Sequence, residues 1–200
     1  MFSFMKINPF YGVVLSVALY IAQPAVAQNN QQSASNAMMK SMQSGMNKMM
    51  SMKMTGDPDH DFAMMLKMHH QSAVEMADME VKQGKNAQVK ALASKIKVSN
   101  QKEIKELDQF LSSHKPQLSS SKLGQKGMEI MHSGTHSMNG NVDHDFASMM
   151  AQHHQQGIDM ARAFLKEGKT EKMKAMANNV VKMQTKEMAE LKKLESSLKS

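Results

Sequence analysis

The sequence has no cysteine and no tryptophan, and its two tyrosines, Tyr11 and Tyr20, both lie close to the N-terminus. Without cysteine the chain forms no disulfide and offers no thiolate to a metal ion. The shortage of aromatic rings argues against a nucleic-acid partner, because single-stranded nucleic acids are held largely by stacking bases on such rings. We therefore attribute the formal net charge of +7 to lysine side chains on solvent-exposed helix faces.

The apolar run near the N-terminus is short. It covers residues 12–22, whereas a membrane-spanning helix needs about 20 apolar residues. Lys6 precedes the run and Ala25-Val26-Ala27 follows it, which is the order of an export signal with a small-residue cleavage site. We expect residues 1–27 to be removed as a signal peptide. The product would begin at Gln28, lie in the periplasm or outside the cell, and have no stable membrane insertion.

Methionine is abundant, with 25 residues. Residues 28–56 form an N-terminal segment whose Gln/Asn/Ser-rich start, up to residue 36, predicts disorder. Residues 38–54 then carry eight methionines at largely helical spacing.

This methionine-rich segment has two interpretations. It could be a flexible face that fills gaps in a core, or a thioether trap, because thioethers select Cu(I) and Ag(I) over harder ions. We favour the trap because few large aliphatic residues accompany the methionines. We also expect the segment to raise copper capacity without being needed for folding, because it lies outside both repeats. The candidate ligands are Met42, Met46, Met49, Met50, Met52 and Met54.

An internal repeat organises the rest of the chain. Residues 59–110 recur without a gap at residues 143–194, with 21 identities in 52 positions. On a helix, His69 and His153 fall in the middle of an apolar stripe. A histidine there must find a partner or be desolvated at a cost. The candidate metal ligands of the repeats are Met65, His69, His70, Met76, Met149, His153, His154 and Met160.

Each repeat is predicted to be an antiparallel helical hairpin, over residues 57–112 and 141–200. Asp57 and Asn141 are placed as N-caps, and Gly84 and Gly168 mark the ends of the first helices. Polar residues recur at the core edge of the second helices, where they could orient the core histidines or extend into solvent; both interpretations stay open. They are Asn100, Glu103, Gln184 and Glu187.

The linker, residues 113–140, contains further soft ligands. His132 and His136 have i, i+4 spacing, which would place them on one face of a helix, although nearby glycines favour a loop equally. Because a methionine-rich or Met/His-containing segment precedes both hairpins, we interpret these residues as metal ligands. They are Met128, Met131, His132, His136 and Met138.

The repeats resemble a known family. The pattern D-x-x-F, M-x-x-x-H-H, M-A and then Q-x-x-E-[IM] is similar to the domain-of-unknown-function 305 family. That resemblance implies a ferritin-like four-helix bundle, and some members of the family are periplasmic copper-binding proteins with additional segments like those seen here. The chain departs from the pattern at Asn100, where the family has glutamine, and it lacks a tryptophan associated with the end of the domain.

The expected fold is all-α: a ferritin-like four-helix bundle of two repeated hairpins that bury their apolar faces against each other, with methionine-rich leading segments. The leading hypothesis is a copper-binding protein that sequesters, buffers or hands on Cu(I), with Cu(II) and Ag(I) as further candidates. It would contribute to copper resistance, and its partners would be metal ions and a periplasmic copper-export or sensor protein.

Two other functions compete with copper binding. One is a structural bundle in which methionine fills the core and the histidines bind no metal. The other is a di-iron oxidase, which requires Glu-x-x-His motifs. The residues three positions before His69 and His153 are Leu66 and Met150, so the required carboxylates are missing and we expect no enzymatic activity.

Overall fold

The computed structural model describes residues 24–117, 121–132 and 138–198. These ranges form six α-helices and contain no strand, which confirms the predicted all-α class. None of these helices is long and apolar enough to cross a bilayer. Most of the predicted signal peptide, and His136, lie outside the described residues. The helices are α1 (Pro24–Met50), α2 (Pro58–Gln83), α3 (Ala87–Ser113), α4 (Leu123–Met131), α5 (Val142–Phe164) and α6 (Glu171–Ser197).

The caps that begin the repeat helices follow the sequence pattern. Asp57 accepts hydrogen bonds from two backbone N–H groups of the first turn of α2, and Asn141 accepts one from the first turn of α5. Asn86 and Thr170 cap α3 and α6 in the same way. These side chains satisfy donors that a helix N-terminus cannot pair internally.

The first helices of the two repeats end differently. α2 ends at Gln83, directly before Gly84, whereas α5 ends at Phe164, four residues before Gly168. The N–H of Gly168 still bonds to the carbonyl of Phe164, at 2.7 Å. The Phe164 ring lies so close to Gly168 that a Cβ there would be 2.3 Å from it, so the bulky ring fixes this turn.

The hairpins α2–α3 and α5–α6 meet through α2 and α5, while α3 and α6 lie mostly apart. Helices α1 and α4 pack on α2 and α5. The apolar interior has two parts. The Phe62 cluster includes Met49, Met65 and Met160, and the Phe146 cluster includes Met38, Met42, Met76 and Met149.

The predicted disorder of residues 28–36 is wrong, because these residues belong to α1. Ala34 and Ser35 are buried, and Met38 continues the same face into the Phe146 cluster. Tertiary packing of one face stabilises helices whose own propensity is modest, and composition alone does not reveal that packing.

The methionine-rich segment packs against the fold, and its role as a thioether trap stays a prediction. Met42 and Met49 are buried, and Met46, Met52 and Met54 are partly buried against the Phe62 cluster. Met50 alone among the six candidates is exposed, at 40 %. The segment therefore packs as a gap-filling face, which also argues against its being dispensable for folding.

The first aspartate of each D-H-D motif joins the two repeats. Asp59 accepts hydrogen bonds from the backbone N–H groups of residues 169–170, both at 2.9 Å. Asp143 accepts them from residues 85–86, at 3.0 and 2.7 Å. Each aspartate thus fixes the turn between the two helices of the other repeat.

The second aspartate of the motif holds the segment before its own helix. Asp61 accepts from the backbone N–H groups of residues 55–56, and Asp145 from those of residues 139–140. Gly56 and Gly140 have φ values of +82° and +83°, a conformation that glycine adopts without strain. The acidic residues of the motif are therefore occupied by structural bonds.

Glu80 on α2 lies beside Asp143 and is fully buried. No described N–H or O–H group donates to its side-chain oxygens. Burial first, and the negative charge of Asp143 second, raise the pKa of Glu80 to about 9. Glu80 is therefore protonated at neutral pH and can donate its proton to the Asp143 carboxylate.

We predict that Glu80→Gln flattens the pH dependence of stability. The folded protein holds this proton more tightly than the unfolded chain, so its contribution is complete below about pH 4.5 and is lost as pH rises through about 9. One proton changes the free energy of unfolding by at most about 1.4 kcal/mol per pH unit. Urea unfolding at pH 5, 7 and 9 measures the slope. The control, Glu171→Gln, alters an exposed carboxyl. Equal slopes in both variants would contradict the assignment.

We predict that Met38→Ala destabilises the protein by about 2–5 kcal/mol, the range for truncating a buried large side chain, because Met38 is fully buried. Met50→Ala is the matched control on the same helix; Met50 is 40 % exposed, so its truncation should change the free energy of unfolding by less than about 0.5 kcal/mol. Urea unfolding followed by circular dichroism measures both. Equal small effects would show that α1 does not dock on the bundle.

Candidate metal centre

Two histidines meet where α2 packs against α5. The rings of His69 and His153 stack, with centroids 3.6 Å apart and planes 26° apart. Nε2 of His69 lies 3.0 Å from the backbone carbonyl of His153, so this nitrogen carries the proton and donates it. Nδ1 of His69 then has a free lone pair, and it is buried without a hydrogen-bond partner in the described chain.

The second histidine of each pair contacts a glutamate. Nε2 of His70 lies 2.7 Å from Oε2 of Glu103, and Nε2 of His154 lies 2.9 Å from Oε2 of Glu187. Nδ1 of both histidines is buried with no hydrogen-bond partner among the described residues. A carboxylate that accepts from one ring nitrogen leaves the other as a lone-pair donor.

These contacts refine the sequence-based expectation. The glutamates lie next to histidines rather than extending freely into solvent, but they contact the second histidine of each pair and not the stacked His69 and His153. Successive helix residues point about 100° apart. The stacked histidines therefore face the opposite repeat, while their neighbours face the second helix of their own hairpin.

Burial keeps His69 neutral. Desolvation first, and then the charges that His153, His70 and His154 would carry, hold the pKa of His69 well below its usual range. The surroundings are fully enclosed, with all four histidines no more than 1 % exposed. A neutral imidazole is the form that binds metal ions.

Two amide side chains extend the centre. Oδ1 of Asn100 and Oε1 of Gln184 are buried without hydrogen-bond partners in the described chain. A Cβ added to Gly157 would lie 2.2 Å from Gln184 Oε1 and 2.9 Å from Cε1 of His69. The glycine therefore allows Gln184 to approach His69 closely.

The four predicted thioethers of the repeats are all buried, but they do not form one group. Met65 and Met160 belong to the Phe62 cluster, and Met76 and Met149 to the Phe146 cluster. Each cluster therefore combines one thioether from each repeat.

The linker residues lie elsewhere. Met131 is buried at the end of α4, whereas His132 is exposed and its Nδ1 lies 2.9 Å from the Met128 carbonyl. Met128 is partly buried, and Met138 packs against the Phe146 cluster. None of these contacts joins the linker residues to the four histidines.

The described part of the chain assembles no group of three or more His, Asp and Glu side chains arranged to hold one metal ion. A metal ion at this centre would therefore draw on few imidazoles, supplemented by neutral donors such as the neighbouring amides. The unpartnered Nδ1 atoms fit a borderline ion of this kind.

One residue near the centre is not predicted from the sequence. Met183 lies on α6 beside a pocket of about 240 Å³ between α3 and α6, which Asn100, Glu103, Gln184 and Glu187 also line. It is 39 % exposed and lies off the apolar stripe, and its equivalent in the first repeat is Ser99. The one feature of the sequence that points to Met183 is its position directly before Gln184.

The comparisons with known proteins agree with this architecture. The solved structure of CopM in the Cu(II)-bound form has a similar fold, with a TM-score of 0.55 and 23 % sequence identity, covering 70 % of this chain and 97 % of that one. No curated protein sequence matches this chain. The model of the family described as a domain of unknown function (DUF305) matches residues 59–195, which run from the first turn of α2 almost to the end of α6. The resemblance seen in the sequence is thereby confirmed, and the chain belongs to the DUF305 family.

Proposed function

We propose that this protein binds copper between α2 and α5. The observation that carries the proposal is the buried Nδ1 of His69 at this interface, which has no hydrogen-bond partner among the described residues; Nδ1 of the neighbouring His70 and His154, which face α3 and α6, is unpartnered in the same way. Leaving a buried polar atom unpaired costs about 1–3 kcal/mol, and coordination of a metal ion would offset that cost. The Cu(II) named for CopM supports copper as the ion.

The donor chemistry favours copper over harder ions. Imidazole and thioether bind copper well, whereas Mg²⁺ and Ca²⁺ require oxygen ligands. The acidic side chains of the D-H-D motifs are occupied by backbone N–H groups. Because the pKa of His69 is lowered, protons would compete weakly with the metal for this imidazole.

In this proposal α2, α3, α5 and α6 form a ferritin-like four-helix bundle that holds Cu(I), with Cu(II) and Ag(I) as further ions. Helices α1 and α4 cover it. The protein would sequester, buffer or hand on copper after export and cleavage behind Ala27, and so contribute to copper resistance. Handing copper on would require a periplasmic export or sensor protein as partner.

A structural bundle is the competing function. It is favoured by the lack of a preformed group of three or more His, Asp and Glu ligands in the described ranges, and by the contacts of His70 and His154 with glutamates. An oxidase is disfavoured, because Leu66 and Met150 stand where its carboxylates would be. The copper affinity of variants separates the first two functions.

We predict that replacing His69 and His153 together by leucine lowers Cu(I) affinity at least roughly tenfold, about 1.4 kcal/mol of binding free energy, and leaves the protein helical. The contacts of His70 and His154 with the glutamates do not involve the changed residues. Competition against a chelator of known affinity measures the binding, and thermal unfolding followed by circular dichroism measures the fold.

The control variant is His132→Leu, which removes an exposed imidazole and should leave copper affinity unchanged. Unaltered affinity in the double variant, together with a lower thermal midpoint, would show that His69 and His153 are architectural. A large loss of affinity in His132→Leu would instead move the copper site to the linker.

A further inference from the structure

We infer that copper reaches this centre through the pocket between α3 and α6, and that Met183 captures the ion at the mouth of that pocket. This inference rests on the proposed copper binding. It adds a route and a residue that neither the repeat pattern nor the family match indicates.

Burial requires such a route. All four histidines are at most 1 % exposed, so an ion cannot meet them directly from solvent. On the side of α1 and α4 the packing is tight: a Cβ on Gly127 would lie 2.6 Å from Sδ of Met65, and one on Gly124 would lie 2.4 Å from Met54. At these two glycines the packing leaves no room for an ion.

The side of α3 and α6 is open. The pocket of about 240 Å³ lies between these helices. Its lining includes Glu103 and Glu187, whose carboxylates contact His70 and His154. Gln184 also lines it and lies close to His69 beside Gly157. The lining of the pocket is therefore in direct contact with the histidines.

Polar atoms in this lining lack partners. Oδ1 of Asn100 and Oε1 of Gln184 are buried and make no hydrogen bond within the described chain, and the two residues are 3 % and 4 % exposed. Oxygen atoms of this kind can hold an ion transiently as it sheds water. They are too hard to attract Cu(I) from solvent by themselves.

Met183 supplies the missing soft donor. It is the one sulfur-bearing side chain among the residues that line this pocket, and it also borders the adjoining groove of about 620 Å³. Only three large apolar residues of the described chain are exposed, and Met183 is one of them, at 39 %. A thioether carries no proton to displace and selects Cu(I) and Ag(I), so its exposure has a function at this position.

The repeat makes the assignment testable. Ser99 is the counterpart of Met183 under the 84-residue offset, and it lines the same pocket from α3. The pocket is therefore lined by a thioether at one position, Met183, and by a hydroxyl at the equivalent position of the other repeat, Ser99. Met50 provides a second comparison, because it is exposed to the same degree, at 40 %, but lies on α1.

The experiment follows Cu(I) transfer from a coloured chelator to the full chain without oxygen, by stopped-flow absorbance. Met183→Leu should slow loading roughly tenfold, the factor for a modest increase in barrier height, with unchanged final stoichiometry and affinity. Met50→Leu should load at the parent rate. The double variant Ser99→Met, Met183→Leu should recover the parent rate, because the thioether returns to the pocket from the other helix.

Equal rates for Met183→Leu and Met50→Leu would overturn the inference, as would the double variant failing to recover the rate. A lower final stoichiometry in Met183→Leu would also overturn it, because Met183 would then be a resident ligand. Failure of the proposed function would give a different result in the chelator competition. There, the chain with both His69 and His153 replaced by leucine would bind copper as tightly as the parent.

Discussion

The stacking of His69 on His153 is the contact on which the rest of the structure depends. It joins α2 to α5 at the middle of the molecule, with ring centroids 3.6 Å apart, and the two apolar clusters lie to either side. Two imidazoles in such a place cost desolvation free energy that leucine would not. In the proposed function, this cost is offset by metal binding at the unpartnered Nδ1 of His69.

The surrounding structure holds this contact in place from several directions. Asp59 and Asp143 tie each repeat to the turn of the other, so the two hairpins are held at fixed positions along their shared interface. Gly157 leaves room for Gln184 beside His69. On the far side α1 packs its methionines into both clusters.

Much of this arrangement could be predicted from the sequence. The 84-residue repeat, the helix period and the capping residues at Asp57 and Asn141 determine the two hairpins, because these features act locally. The histidine pairs stood out because polar residues in an apolar stripe are costly. The helical state of residues 28–36 could not be predicted, since their small apolar face matters only once α2 and α5 exist to bury it.

The details of the site also depended on tertiary structure. Which histidine meets Glu103 depends on the rotation of α2 against α3, and the sequence pattern does not determine that angle. Neither the repeat nor the apolar stripe indicates Met183, because it replaces a serine of the first repeat and lies off the stripe. The grouping of Met65 with Met160, and of Met76 with Met149, likewise follows from how the hairpins pair.

The location of the bound ion tests the central claim most directly. Crystals of the full chain loaded with one equivalent of Cu(I) can be measured on both sides of the copper absorption edge, which locates copper by its anomalous scattering. The account predicts a copper peak between α2 and α5, within bonding distance of an imidazole nitrogen of His69, His70, His153 or His154. Peaks found only along α1 or in residues 121–132 would contradict it.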